Sequence, residues 1–116
     1  MNDRVNNKSQ GFAHQGLWVY GDARELVRMV GQNPVQNAEL RNQALRAVTS
    51  VALNIAEGAG QVGAAKKRHY KIARASLTEV LACYELAGDL GETVGLDAIA
   101  EKARIIGCIL TKLIRK

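Results

Sequence analysis

Apolar residues recur along this chain at helical spacing in four blocks, and no block alternates with the two-residue period of a strand. Over residues 12–30, Phe12, Val19, Ala23, Leu26, Val27 and Val30 fall on one face, with Arg24, Glu25 and Arg28 opposite. Gly31, Gln32, Asn33 and Pro34 interrupt this block, because glycine and proline punctuate helices and proline disfavours helical geometry in the residue before it. A second helix is predicted over 38–57, with Asn37 as its N-cap and Gly58 as its stop. Its core face is Leu40, Ala44, Ala47, Val48, Val51 and Ile55, and Leu45, Ala52 and Ala56 form a second apolar strip beside it. The third helix is predicted over 64–90, burying Tyr70, Ala73, Leu77, Val80, Leu81, Tyr84 and Ala87. Residues 91–95 make the last turn. A fourth helix runs from residue 96 almost to the end, with Ile99, Ala103, Ile106, Leu110 and Leu113 as its core stripe.

Helices of roughly 20 residues, each about 30 Å long and joined by short connections, pack most simply as antiparallel neighbours. The fold class predicted is therefore all-α, an antiparallel up-and-down four-helix bundle spanning residues 12–116. Residues 1–11 are polar and aperiodic and read as a flexible N-terminal tail. Leu17 and Trp18 fall off the core face of the first helix. Together with Leu45 and Ala52 on the second apolar strip they are the candidate oligomer interface, packing of Trp18 beneath the tail being the alternative.

Polar residues also keep a helical period. Gln43, Arg46, Ser50, Asn54 and Glu57 lie three or four apart and occupy one arc beside the core face of the second helix. Arg68, Ile72, Ser76 and Glu79 form a comparable stripe on the third. In an antiparallel hairpin, residues at one level have a nearly constant sum of residue numbers. Glu57 with Arg68, Ser50 with Ser76, and Arg46 with Glu79 satisfy a single register. An inter-helix ladder with two ionic rungs is predicted, as a structural network or as a polar site within the bundle.

Composition adds little to the fold and more to the question of partners. Hydrophobic residues make up 47% of the 116, but aromatic ones only 4%, so aliphatic side chains must fill the core. Two cysteines, Cys83 and Cys108, are too few for a disulfide framework, and no apolar run approaches the roughly 20 residues that span a bilayer. A cytoplasmic protein with free thiols and no membrane partner is expected. The formal net charge is +5, and Lys66, Lys67, Arg68, Lys71 and Arg74 are concentrated in nine residues. Lys66, Lys67, Lys71 and Arg74 are the candidate nucleic-acid-binding residues: cations at helical spacing can track phosphates. The competing explanation is a solvated charged face. Tyr70, which falls among them, points inward to the core, so base stacking has little support and binding would be sequence-tolerant.

Other chemistry finds no footing. Gly58-Ala59-Gly60-Gln61-Val62-Gly63 matches the dinucleotide-binding fingerprint, but that pattern needs a strand before it and here a helix precedes. A phosphate on the first amides of the third helix, beside Lys66 and Lys67, is the intermediate reading. His14 and His69 have no partner at ligand spacing, so no metal and no cofactor is expected. No nucleophile, base and orienting acid come together, and no catalytic residue is assigned.

The polar arc also carries a resemblance. Gln43, Arg46-Ala47, Ser50 and Asn54-Ile55-Ala56-Glu57-Gly58-Ala59-Gly60, then Tyr70, Ala73, Ser76 and Glu79, resemble the signature of the four-helix bundle proteins encoded by intervening sequences of 23S ribosomal RNA genes. Leu17, Val19-Tyr20, Ala23, Leu26-Val27 and Pro34 are similar too, so the resemblance covers residues 12–116. Gln61 stands where an arginine is usual, and Ala75 replaces a glycine. The resemblance implies a four-helix bundle assembling as a ring-shaped homopentamer. It also implies kinship with the accessory protein of diversity-generating retroelements, which binds nucleic acid and, by analogy, suggests a reverse transcriptase as partner. The leading expectation is a non-enzymatic homo-oligomer that engages RNA or DNA through its basic stripe. The alternative is a protein-interaction or scaffold module that binds no nucleic acid.

Overall fold

A computed structural model describes residues 13–93 and 95–116. The expected N-terminal tail, and Phe12 as a core residue, lie outside the described residues.

A 3-10 turn, Ala13–Gly16, is followed by four helices: α1 (Trp18–Gln32), α2 (Ala38–Ala59), α3 (Gly63–Asp89) and α4 (Leu96–Arg115). The first helix therefore starts later than its apolar period predicts. Leu17 is extended, at φ −88° and ψ 127°, and separates the 3-10 turn from α1. Gly16 sits at that break, where a residue without a side chain least favours continuing a helix. At the other end Asn33 closes α1 by donating both its backbone N–H and its side-chain Nδ2 to the Met29 carbonyl.

Asn37 caps α2, its Oδ1 accepting from the Leu40 amide at 3.0 Å. Gly58 is not the stop that the sequence suggests. α2 continues through it to Ala59, and Gly58 is buried against α3. A Cβ there would lie 2.7 Å from Cε1 and 2.9 Å from Cδ1 of Tyr70. The glycine permits a close helix crossing rather than ending a helix. The positive φ angles belong to Gly63 (57°), where α3 starts, and Gly91 (91°), where the last turn reverses the chain.

Each helix packs on its neighbours in sequence and α4 closes onto α1, while among the described residues no Cα atoms of diagonally opposite helices come within 8 Å. That pattern is the up-and-down four-helix bundle. The core comprises the expected positions: Val19, Ala23, Leu26 and Val30 of α1, Ala44, Val48, Val51 and Ile55 of α2, Ala73, Val80 and Tyr84 of α3, and Ile99, Ile106 and Leu110 of α4. Val35, in the loop between α1 and α2, is also buried and plugs one end. The α2–α3 contact is the most extensive. Alanine, glycine and serine at its seam, among them Ala44, Ala47, Gly58, Ala73 and Ser76, let the backbones approach closely. α4 is tied to α1 by Lys102, whose Nζ lies 3.2 Å from Glu25 and 3.6 Å from Asp22.

Three side chains from elsewhere hold the α1–α2 loop. Glu92 reaches across from the α3–α4 turn and accepts from the amides of Gln36 (2.7 Å) and Asn37 (2.9 Å). Arg41 donates to the carbonyls of Val35 and Gln36. The Tyr84 hydroxyl donates to the Asn33 carbonyl at 2.7 Å. Burial, and secondarily the neighbouring Cys83, pushes the Tyr84 phenol up to about 12.

A polar seam and a candidate nucleic-acid interface

The α2–α3 seam carries a connected set of polar groups. The hydroxyls of Ser50 and Ser76 are 2.9 Å apart and share a hydrogen bond. Asn54 donates through Nδ2 to the carbonyl and the hydroxyl of Ser50, at 2.9 and 3.1 Å. Its Oδ1 is 3.0 Å from Nδ1 of His69. A carbonyl oxygen accepts, so the proton of this bond lies on the histidine nitrogen. Half-buried polar groups of this kind are satisfied by one another, as helices packed this closely require.

The central rung of the expected ladder is thus present and the two ionic rungs are not. Arg46, Glu57, Arg68 and Glu79 are all exposed, and among the described residues no ion pair joins Arg46 to Glu79 or Glu57 to Arg68. Gln43 turns along its own helix and donates to Glu39. The physical reason is solvation. An exposed pair gains about 0–1 kcal/mol and must immobilise two long side chains, so nothing holds these charges together. Register comes instead from the small polar and apolar groups deeper in the seam. Sequence reasoning missed His69. Its signal was the spacing to Asn54 once the helices are set in register, which places the imidazole about two turns along α3 from Ser76 and level with Asn54.

The basic residues lie at one end of the bundle. Lys66 and Lys67 are half-buried, while Lys71 and Arg74 are exposed. None of the four lies within 4.0 Å of a carboxylate among the described residues. Arg74 instead donates to the Thr111 hydroxyl of α4 at 3.3 Å. Beside it a surface groove of about 430 Å³ runs between α3 and α4. α3 begins at Gly63 after an extended Val62 that offers no side-chain cap. The glycine-rich segment is a helix-to-helix turn preceded by α2, which leaves the dinucleotide-binding pattern without its strand.

The candidate oligomer residues divide. Trp18 and Leu45 are exposed, at 66% and 41%, whereas Leu17 and Ala52 pack partly against the core. Leu53, which the apolar strips did not single out, is as exposed as Trp18. Val27, Thr49, Ala52 and Leu53 line a shallow recess between α1 and α2.

Cys83 is buried and Cys108 exposed, and both are free thiols. Burial pushes the Cys83 thiol up, and Glu79 adds to the effect. Glu101 and Arg104 pair on the surface of α4 at 2.7 Å, and this hydrogen bond holds the carboxyl below the usual range. Among the described residues no three histidine, cysteine or acidic side chains gather as metal ligands. No helix there is long and apolar enough to cross a membrane.

No curated protein matches this chain. The model of the 23S rRNA-intervening sequence protein family matches residues 16–109, which takes in α1, α2, α3, the first part of α4, the serine rung and the basic segment. A match over most of the chain, on a bundle of this topology, places the protein in the 23S rRNA-intervening sequence protein family.

Proposed function

We propose that this protein is a non-enzymatic homo-oligomer that binds RNA or DNA through the basic stripe of α3, with Lys66, Lys67, Lys71 and Arg74 contacting phosphates. One observation carries the reading: four cations of one helical half stand together without a neutralising carboxylate. The other half of α3 is acidic, with Glu79, Glu85 and Asp89, so the positive charge is local rather than diffuse. Self-assembly, as the ring of five that the family resemblance implies, would repeat the stripe on every copy and strengthen a weak single contact through avidity. The reading places the protein in the cytoplasm, where its free cysteines stay reduced.

Fluorescence anisotropy with a structured RNA over a salt series tests it. About three phosphate contacts give a slope of log affinity on log salt near −2 to −3. Reversing Lys67, Lys71 and Arg74 to glutamate should flatten that slope and weaken binding. Affinity indifferent to both salt and charge reversal overturns the reading. A second reading, a module that meets another protein, is favoured by the exposure of Trp18 and Leu53.

A further inference from the structure

We infer that the groove between α3 and α4 holds one sugar–phosphate strand of a double-helical nucleic acid, with Arg104, Lys112 and Arg115 of α4 as its second cationic wall. This rests on the proposed function and names its ligand class and the missing half of its site.

The two helices run antiparallel, so the basic first half of α3 lies beside the second half of α4, which carries Lys112 and Arg115, with Arg104 near the middle of the helix. The acidic half of α3 lies beside Asp97 and Glu101. Charge is therefore sorted along this face into a positive and a negative end. The groove of about 430 Å³ sits at the positive end and is lined by Arg74, Arg104, Cys108, Thr111, Lys112 and Arg115. Gly107, with no side chain, leaves its floor low. Only Arg104 is matched by an acid, Glu101; Arg74, Lys112 and Arg115 have no carboxylate within 4.0 Å among the described residues. The hydrogen bond from Arg74 to Thr111 joins α3 to α4 at the groove and holds one guanidinium there.

The lining chooses between ligands. No aromatic side chain is in it, so unpaired bases find no stacking platform, which single-strand binders depend on. A double helix keeps its bases paired and stacked and carries its phosphates outermost, where Arg74 from α3 and Arg104, Lys112 and Arg115 from α4 can hold them. The length agrees. From Arg104 to Arg115 the helix advances about 16 Å at roughly 1.5 Å per residue. One strand of a duplex rises roughly 3.4 Å per phosphate along the duplex axis and winds around it, so a few of its phosphates face a wall of that length.

The test uses the full chain, labelled duplex RNA and duplex DNA, the matching single strands, and phosphatidylserine vesicles. Both duplexes should bind about tenfold or more tighter than their single strands, with a salt slope near −3 for three to four contacts. Lys112→Glu with Arg115→Glu should lower duplex affinity about tenfold and reduce the slope by about two, with an unchanged circular dichroism melt showing that the variant folds. Bound duplex should also slow maleimide labelling of Cys108, which lies in the groove, while buried Cys83 stays unlabelled with or without duplex. Single strands binding as tightly as duplexes, or vesicles binding where duplexes do not, overturns the inference. Should reversal at Lys67 and Lys71 abolish binding while the α4 variant and Cys108 labelling show no effect, the groove is wrong and the α3 stripe stands. Absence of any nucleic-acid binding removes both.

Discussion

Gly58 shows how one missing side chain sets the distance between two helices. A Cβ at this position would press on the ring of Tyr70 and lie 3.2 Å from Cβ of His69. Tyr70 is buried, so its ring has little room to yield. Gly58→Ala should therefore destabilise by about 1–3 kcal/mol despite alanine's better helix propensity. Gly88→Ala, where a new Cβ meets nothing within 4 Å, should be neutral or gain up to about 1 kcal/mol. Urea melts of the two variants check the contrast, and equal effects would disconnect Gly58 from the crossing. Tyr84 acts at the same scale through a proton. Its phenol titrates near 12 in the folded protein and near 10 when unfolded. A raised acid favours the folded state below the unfolded value, and that contribution is lost as pH rises from about 10 through 12. Alkaline melts should show stability falling in that window. Tyr84→Phe should be about 1 kcal/mol less stable at neutral pH, for want of the bond to Asn33, and should lose less on the way to pH 12.

At the scale of paired elements, α2 and α3 are joined by small groups rather than by charges. A double-mutant cycle over Ser50→Ala and Ser76→Ala should give a coupling of about 0.5–1.5 kcal/mol. The same cycle over Arg46→Met and Glu79→Leu should give a value near zero, since both side chains are exposed and unjoined. The reverse order would restore the ionic ladder. These two pairs also mark how far the sequence reaches. Helical period and antiparallel register are properties of the backbone, and they suffice to place Ser50 opposite Ser76. Whether two long charged side chains then bend toward each other depends on how much water surrounds them, which a period does not encode. Local signals served where the cause was local, as with Asn37 capping α2. They failed where the cause was distant. Glu92 binds the amides of Gln36 and Asn37 from more than fifty residues away, and Gly58 reads as a stop until Tyr70 is seen against it. The basic stripe of α3 was legible as a run of residues. Its counterpart on α4 was not, because Arg104, Lys112 and Arg115 are spread through an ordinary amphipathic helix and become one wall only when the helices pair.

On the whole molecule one apolar patch stands apart from the cationic groove, although Ile72 and Leu86 of α3 are exposed as well. The cationic groove opens between α3 and α4, whereas Trp18, Leu45 and Leu53 belong to α1 and α2. An assembly built through the α1–α2 side would leave every groove open, and the copies would present several short cationic tracks to one nucleic acid. Light scattering should then find an oligomer at micromolar concentration. Leu45→Asp with Leu53→Asp should yield a monomer whose thermal melt is nearly unchanged, because surface substitutions of this kind usually alter stability by less than about 0.5 kcal/mol. That monomer keeps its groove but loses avidity, so its affinity for a long duplex should fall by about a hundredfold while its affinity for a duplex of one groove's length stays level. A wild-type monomer would end the argument for assembly. A variant monomer that bound the long duplex as tightly as the oligomer would show that each bundle acts alone.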